Sequence, residues 1–209
     1  MSSHYFTSNE IARESEMHPV RVEIQDLSLR MFTADQVFSS SGLDIGTRVL
    51  LEAVPTPPQE GTFLDLGCGW GPIAAVLAIR SPDAKIWAVD VSERALNLTA
   101  RNAASLGLSN IETMTESRAL ERQESSGVTF DLIWSNPPVR IGKKPLQELL
   151  LRWLPHLSEV GIAYLVISKN LGGDSMARWL DGQGFTVQRI TSKKGFRVLS
   201  VQKDIKSQP

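Results

Sequence analysis

Two short stretches of this chain combine residue types and spacings that can do chemistry. The first is Asp65-Leu66-Gly67-Cys68-Gly69-Trp70-Gly71-Pro72, which follows the apolar run Thr62-Phe63-Leu64 and precedes a helical pattern from Ile73 to Ile79. It reads as strand, glycine turn, helix. Glycines there supply backbone angles closed to other residues and let a ligand lie against bare main chain. The spacing predicts a nucleoside cofactor held at Gly67, Gly69 and Gly71. It is not the dinucleotide fingerprint G-x-G-x-x-G, because Pro72 stands where the last glycine belongs. A proline at that point also removes an N–H that a pyrophosphate would use at a helix N-terminus. A cofactor without phosphates fits better.

The second stretch, Ser135-Asn136-Pro137-Pro138, ends the apolar run Phe130 to Trp134. Two prolines fix two φ angles and delete two N–H donors, so the loop offers carbonyl oxygens in a stiff frame. A planar exocyclic amine needs such a frame. With its two N–H bonds accepted by the Asn136 side-chain oxygen and a carbonyl of Pro137-Pro138, its lone pair turns toward an incoming group. Asparagine is no general base, so the catalysis expected is alignment plus dispersal of developing positive charge. Taken alone, Asn-Pro is as easily a surface turn.

Further groups belong with these two. Asp90, followed by Val91, closes the next strand about 20 residues beyond the glycine turn, where a carboxylate accepts from both ribose hydroxyls; capping the following helix is its other reading. Glu116 follows the third strand, where similar enzymes carry an acidic residue that accepts from an adenine amino group. Asp65 either orients the far end of the cofactor or braces the turn. Asn136 borders both cofactor and acceptor. Cys68 reads as a small residue in a tight turn, since no His, Lys or Arg neighbours it in sequence to lower its pKa.

The elements that must position these residues follow from periodicity. Val20, Val22 and Ile24, then Leu27, Leu29 and Met31, alternate with polar residues across Gln25-Asp26 and predict a hairpin. Helical spacing runs from about Asp44 to Val54 and stops at Pro55, Pro57 and Pro58. Strands are expected at Phe63–Leu66, Lys85–Val91, near Ile111, Phe130–Ser135 and Ile162–Ser168, with helices over 72–80, 93–106 and 145–157 between them. The second of these helices has Ser92 and Gly107 as candidate caps. A last helix near 174–182 leads to a hairpin of Phe185–Ile190 and Gly195–Val201, an antiparallel edge to the sheet.

The 209 residues carry no linker composition and predict one domain, with 1–42 as a small N-terminal β-extension and 43–209 as the core. Apolar content of 42% and charged content of 22% are those of an ordinary folded protein. No signal segment or membrane span is apparent, so the expected location is the cytoplasm. One cysteine and the scattered His4, His18 and His156 predict no disulfide and no metal. A net charge of -1 gives no global attraction to nucleic acid. Local rims are available: Arg140, Lys143 and Lys144 after the Asn-Pro-Pro loop, and Lys193, Lys194 and Arg197 near the C-terminus. Solvated turn residues are the alternative reading of each.

An acidic residue ahead of G-x-G-x-G resembles the first motif of class I S-adenosylmethionine-dependent methyltransferases. Asn-Pro-Pro after the fourth strand resembles the [N/D]-P-P-[F/Y/W] loop of those that methylate the amines of adenine, guanine or a glutamine side chain. Together with Thr33 to Ser39, Leu43-Asp44-Ile45-Gly46-Thr47 and Lys194 to Leu199, these motifs resemble the methyltransferase small domain family, most of all its ribosomal RNA small-subunit guanine-N2 methyltransferases. The resemblance implies a doubly wound α/β fold, with a mostly parallel seven-stranded sheet and an antiparallel edge strand. It implies S-adenosyl-L-methionine as cofactor and a guanine of small-subunit ribosomal RNA as acceptor, with Arg140, Lys143 and Lys144 on phosphates. A protein glutamine, as in release-factor methyltransferases, and a non-catalytic RNA-associated module are the alternatives. Val139 stands where many members have a ring that stacks on the target base; Tyr5, Phe6 and Phe38 are the candidates to supply it.

Overall fold

Strand residues of this chain alternate between two apolar layers, and that period-two pattern dictates a sheet covered on both faces. The computed structural model describes residues 11–138 and 142–204. A hairpin of β1 (Met17–Ile24) and β2 (Leu27–Ala34) turns at Gln25-Asp26 and is followed by α1 (Ile45–Ala53). Then come β3 (Glu60–Leu66), α2 (Pro72–Arg80), β4 (Asp83–Asp90), α3 (Glu93–Ser105), β5 (Ile111–Thr115) and α4 (Glu116–Ser126). The chain continues through β6 (Phe130–Ser135), α5 (Lys143–Trp153), β7 (Leu157–Ser168), α6 (Gly173–Asp181), β8 (Phe185–Lys193) and β9 (Phe196–Lys203).

The main sheet has the order β5-β4-β3-β6-β7-β9-β8. Pairings through β7 are parallel, and β9 is antiparallel to both its neighbours. The fold is therefore the expected α/β class, with the reversed strand inserted second from the edge and β8 outermost. Within β8 a bulge between Arg189 and Thr191 leaves Ile190 without a partner on β9. Strand order reverses between β3 and β6, which are direct neighbours. In open α/β sheets ligands bind at the carboxyl ends of strands at such a point.

Phe63, Ile86, Ala88, Leu132 and Trp134 face one layer with α1, α2, α3 and the hairpin. Leu64, Trp87, Val89, Ile133 and Leu165 face the other, with α4, α5 and α6. The hairpin joins the first layer through Val22, Ile24, Leu29 and Met31. It is fastened by Asn102 of α3, whose Oδ1 accepts from Phe32 N at 2.7 Å while its Nδ2 donates to the carbonyls of Phe32 and Trp70. Among the described residues no helix is long and apolar enough to cross a membrane.

Several bounds shift, with α5 ending at Trp153 rather than 157 and β8 running on to Lys193, and two differences are larger. Helix α4 covers the acidic stretch after Glu112, buries only Ala119 and Gln123, and is started by Thr115 Oγ1 accepting from Arg118 N. Strand β7 begins five residues earlier than expected, because Leu157 pairs with Phe130 before a register shift across Ser158 to Gly161.

Candidate active site

The glycine turn leaves β3 and enters α2 with Gly67, Gly69 and Gly71 at φ of 78°, 58° and 89°. All three lie in the left-handed region that glycine occupies without strain. At Gly71 there is a second reason, since a Cβ would lie 2.8 Å from the Thr99 side chain. At Gly67 the Cβ direction opens toward the acceptor loop, 3.8 Å from Pro138 Cδ and 3.9 Å from the Asn136 carbonyl oxygen. The ends of β3 and β6 are tied together by Ser135 Oγ donating to the Leu66 carbonyl at 2.6 Å. The two motifs separated by 69 residues thus face each other across a cavity of about 310 Å³.

Asp90 closes β4 beneath the turn. Its Oδ2 accepts from Gly69 N and its Oδ1 from Ser92 N, each at 2.9 Å. Burial pushes its pKa up, the N–H groups of Ser92, Gly69 and Val91 oppose that shift, and the Glu116 charge adds to it. A carboxylate has about four acceptor positions, so these N–H groups leave capacity for a ligand hydroxyl. Val91 beside it is half exposed and, like Asp90, lines the cavity.

Glu116 also lines the cavity, and its Oε1 accepts from Arg152 Nη1 at 2.7 Å and Trp153 Nε1 at 3.3 Å. Phe38 also lines the cavity and is 42% exposed, so a ring is available at the mouth. Asp65 is not in the wall: it is fully buried under the turn, with Oδ2 accepting from Ala74 N at 2.8 Å at the start of α2. Its Oδ1 is buried with no protein partner, and burial holds its pKa well above the usual carboxylate range. The residue braces the turn and keeps one acceptor atom in reserve. Cys68 is buried, with its thiol pKa raised by burial and by the nearby charges of Asp90 and Asp65, which makes it a poor nucleophile.

In the acceptor loop Asn136 donates from Nδ2 to Asp44 Oδ2 and to Thr47 Oγ1, both at 2.9 Å. Its Oδ1 is left as the acceptor. Lys143 and Lys144 stand exposed on the first turn of α5, directly before the wall residue Pro145. Arg140, Tyr5 and Phe6 lie outside the described residues. Part of the second basic rim is already engaged: Lys193 pairs with Glu52, and Arg197 with Asp174. The sequence pointed to no role for Asp44, Thr47 or the α5 wall residues Pro145, Glu148 and Arg152. Only their fold neighbours reveal them.

The model of the methyltransferase small domain matches residues 28–200. The chain belongs to that family. It is an S-adenosylmethionine-dependent methyltransferase. Over 205 residues it is 33% identical to YbxB, an uncharacterized protein of Bacillus subtilis, covering 97% of this chain and all of that one. It is 37% identical over 145 residues to the ribosomal RNA small subunit methyltransferase C of Aeromonas hydrophila, covering 68% of this chain and 40% of that protein. This methyltransferase therefore spans less than half the length of that curated relative. Its fold is similar to the T. thermophilus 16S rRNA N2 G1207 methyltransferase, solved with AdoMet and guanosine. The TM-score is 0.76 at 20% identity over 90% of this chain and 50% of that one.

The residues present fit the family's cofactor. A carboxylate with spare acceptor capacity, a glycine whose Cβ direction is open and a buried carboxylate oxygen without partner all border or underlie one cavity. Asp90→Ala is expected to weaken S-adenosylmethionine binding by roughly tenfold or more, since a hydrogen bond to a charged acceptor contributes about 1.5–3 kcal/mol. Isothermal calorimetry reads this directly, and an unchanged dissociation constant removes Asp90 from the site.

The raised pKa of Asp90 also sets a pH dependence. Ribose hydroxyls donating to Asp90 would favour its ionised form, so affinity is expected to fall on acidification through a pKa lying above 3.8. Free-protein stability runs the other way: the contribution of a carboxyl with a raised pKa is present below 3.8 and is lost as pH rises through the raised value. Calorimetry over a pH series should give a slope for the parent that flattens in Asp90→Asn. A parent slope retained in that variant assigns the titration elsewhere.

Proposed function

We propose that this methyltransferase transfers a methyl group to the exocyclic N2 amine of a guanine in small-subunit ribosomal RNA, acting in the cytoplasm. The observation that carries the reading is the opposition of Gly67 and the Asn136-Pro137-Pro138 loop, with the Asn136 carboxamide nitrogen engaged by Asp44 and Thr47 and its oxygen left as the acceptor. S-adenosylmethionine, when bound, supplies a methyl group on a sulfonium that an amine can displace. Gly67, Gly69, Gly71, Asp90, Val91 and Glu116 would hold it, on a turn braced from below by Asp65 and with Asn136 at the border. Asn136 and a carbonyl of Pro137 or Pro138 would then accept the two N–H bonds of a flat amine. This turns its lone pair toward the Gly67 side of the cavity and places partial negative charge beside the nitrogen as positive charge develops there.

Guanine, rather than another planar amine, is supported by the relatives named above, one called a ribosomal RNA methyltransferase and another solved with guanosine. Phe38 at the cavity mouth would contribute the ring that Val139 lacks, and Lys143 and Lys144, with Arg140, would meet phosphates. The test is incubation with labelled S-adenosylmethionine and, separately, small ribosomal subunits, naked RNA and protein extract. Label is expected in RNA, in a guanine nucleoside after digestion, and to decline steeply with salt. Label confined to protein overturns the RNA reading.

A further inference from the structure

We infer that Asp44 and Thr47 of the α1 N-terminus are positioning residues for the reaction, fixing which atom of the Asn136 carboxamide meets the acceptor. The inference rests on the acceptor role of Asn136 proposed above and adds what gives that role its direction. Asp44 is the N-cap of α1, and one of its oxygens, Oδ2, accepts from three donors: Gly46 N at 2.7 Å, Thr47 N at 3.1 Å and Asn136 Nδ2 at 2.9 Å. Thr47, 5% exposed, takes the other Asn136 N–H on Oγ1 at 2.9 Å.

A carboxylate can only accept, so the atom of Asn136 that faces Asp44 must be the nitrogen. Turning the amide over would set Oδ1 against that carboxylate and lose the bond to it, while the Thr47 hydroxyl, which can also donate, would have to reverse. The side chain is thus held with its nitrogen engaged and Oδ1 as the remaining acceptor before any substrate arrives, the preorganised condition under which dipoles stabilise developing charge without moving. It admits N–H donors at that point and turns carbonyl oxygens away. Room for this packing comes from Gly46, where a Cβ would lie 2.9 Å from Asp44 Oδ2, 2.9 Å from Phe196 Cε1 and 3.3 Å from Asn136 Oδ1. Helix α1 therefore contributes more than burial. Its capping residue serves two clients, the helix and the acceptor loop, which are 92 residues apart.

The test separates orientation from folding. Asp44→Ser keeps a competent cap on α1 but is too short to reach Asn136. Thr47→Val preserves shape without the hydroxyl, and Thr47→Ser restores it. In asparagine-labelled protein, with the Asn136 side-chain NH2 signals assigned by their loss in Asn136→Ala, Thr47→Val and Asp44→Ser should each displace one of the two proton resonances; Thr47→Ser should leave them close to the parent. With S-adenosylmethionine and small ribosomal subunits or RNA, each loss variant should lower kcat on the order of tenfold at nearly unchanged cofactor affinity, because misplacement rather than binding is at stake. Neither should lower it further in an Asn136→Ala background. Resonances that stay in place, or losses that persist in full in that background, overturn the inference. If the parent labels no amine in RNA or protein, the acceptor reading fails instead, and the resonances still decide whether the tether exists.

Discussion

Asn136→Ala is expected to lower kcat for methyl transfer by about 100- to 1000-fold, the usual loss when one prearranged dipole is removed from developing charge. The substitution deletes the Oδ1 acceptor and also takes one donor from Thr47 Oγ1 and one from Asp44 Oδ2, which keeps those of Gly46 N and Thr47 N. Cofactor affinity should change by less than about tenfold, because Asp90 and the glycine turn are untouched and one hydrogen bond at most is withdrawn. Single-turnover kinetics with calorimetry on the same preparation measures both quantities. A variant with full turnover, or one that has lost cofactor binding together with activity, is incompatible with a clamp that acts on the acceptor.

Trp153→Ala is expected to cost about 3–5 kcal/mol of stability, the range for emptying a buried large aromatic site. Trp153 is fully buried at the end of α5, its ring centroid 6.1 Å from that of Phe130, which in turn meets Trp87 edge-on at 5.4 Å. For a chain of this size the midpoint should fall by roughly 2–4 °C per kcal/mol, readable by circular dichroism. The indole has a second duty, because Nε1 donates to Glu116 Oε1 in the cavity wall. Trp153→Phe should therefore retain much of the stability while weakening cofactor binding through a less restrained Glu116. A midpoint within about 2 °C of the parent for Trp153→Ala would contradict the packing role.

What could be read from the sequence is what backbone constraint writes into residue type. Glycines at Gly67, Gly69 and Gly71 announce left-handed angles, Pro-Pro announces a stiff loop, and the alternation from Val20 to Met31 announces a hairpin. Each is local. Helix α4 was illegible because its inward face is nearly empty of apolar residues, with Ala119 and Gln123 alone buried, so no hydrophobic stripe marks it. The early start of β7 was hidden by the polar Ser158 and Glu159 and by Gly161, which the register shift tolerates. The side chains that hold Asn136 were hidden for a different reason. Their spacing in sequence carries no information, and only the path of α1 across the sheet brings Asp44 to the end of β6. Asp65 shows both sides of the problem: its type and place were readable, but its orientation, down onto Ala74 N, depends on the packed helix above it.

The placement of β9 inside the sheet hands the outer border to β8, a row of backbone groups that would otherwise invite another chain. That border is defended. Arg189 and Lys193 place charge along it, and Ile190, without a partner on β9, interrupts its regular ladder. An interrupted ladder and charged side chains are among the devices by which an outermost strand discourages pairing with another chain.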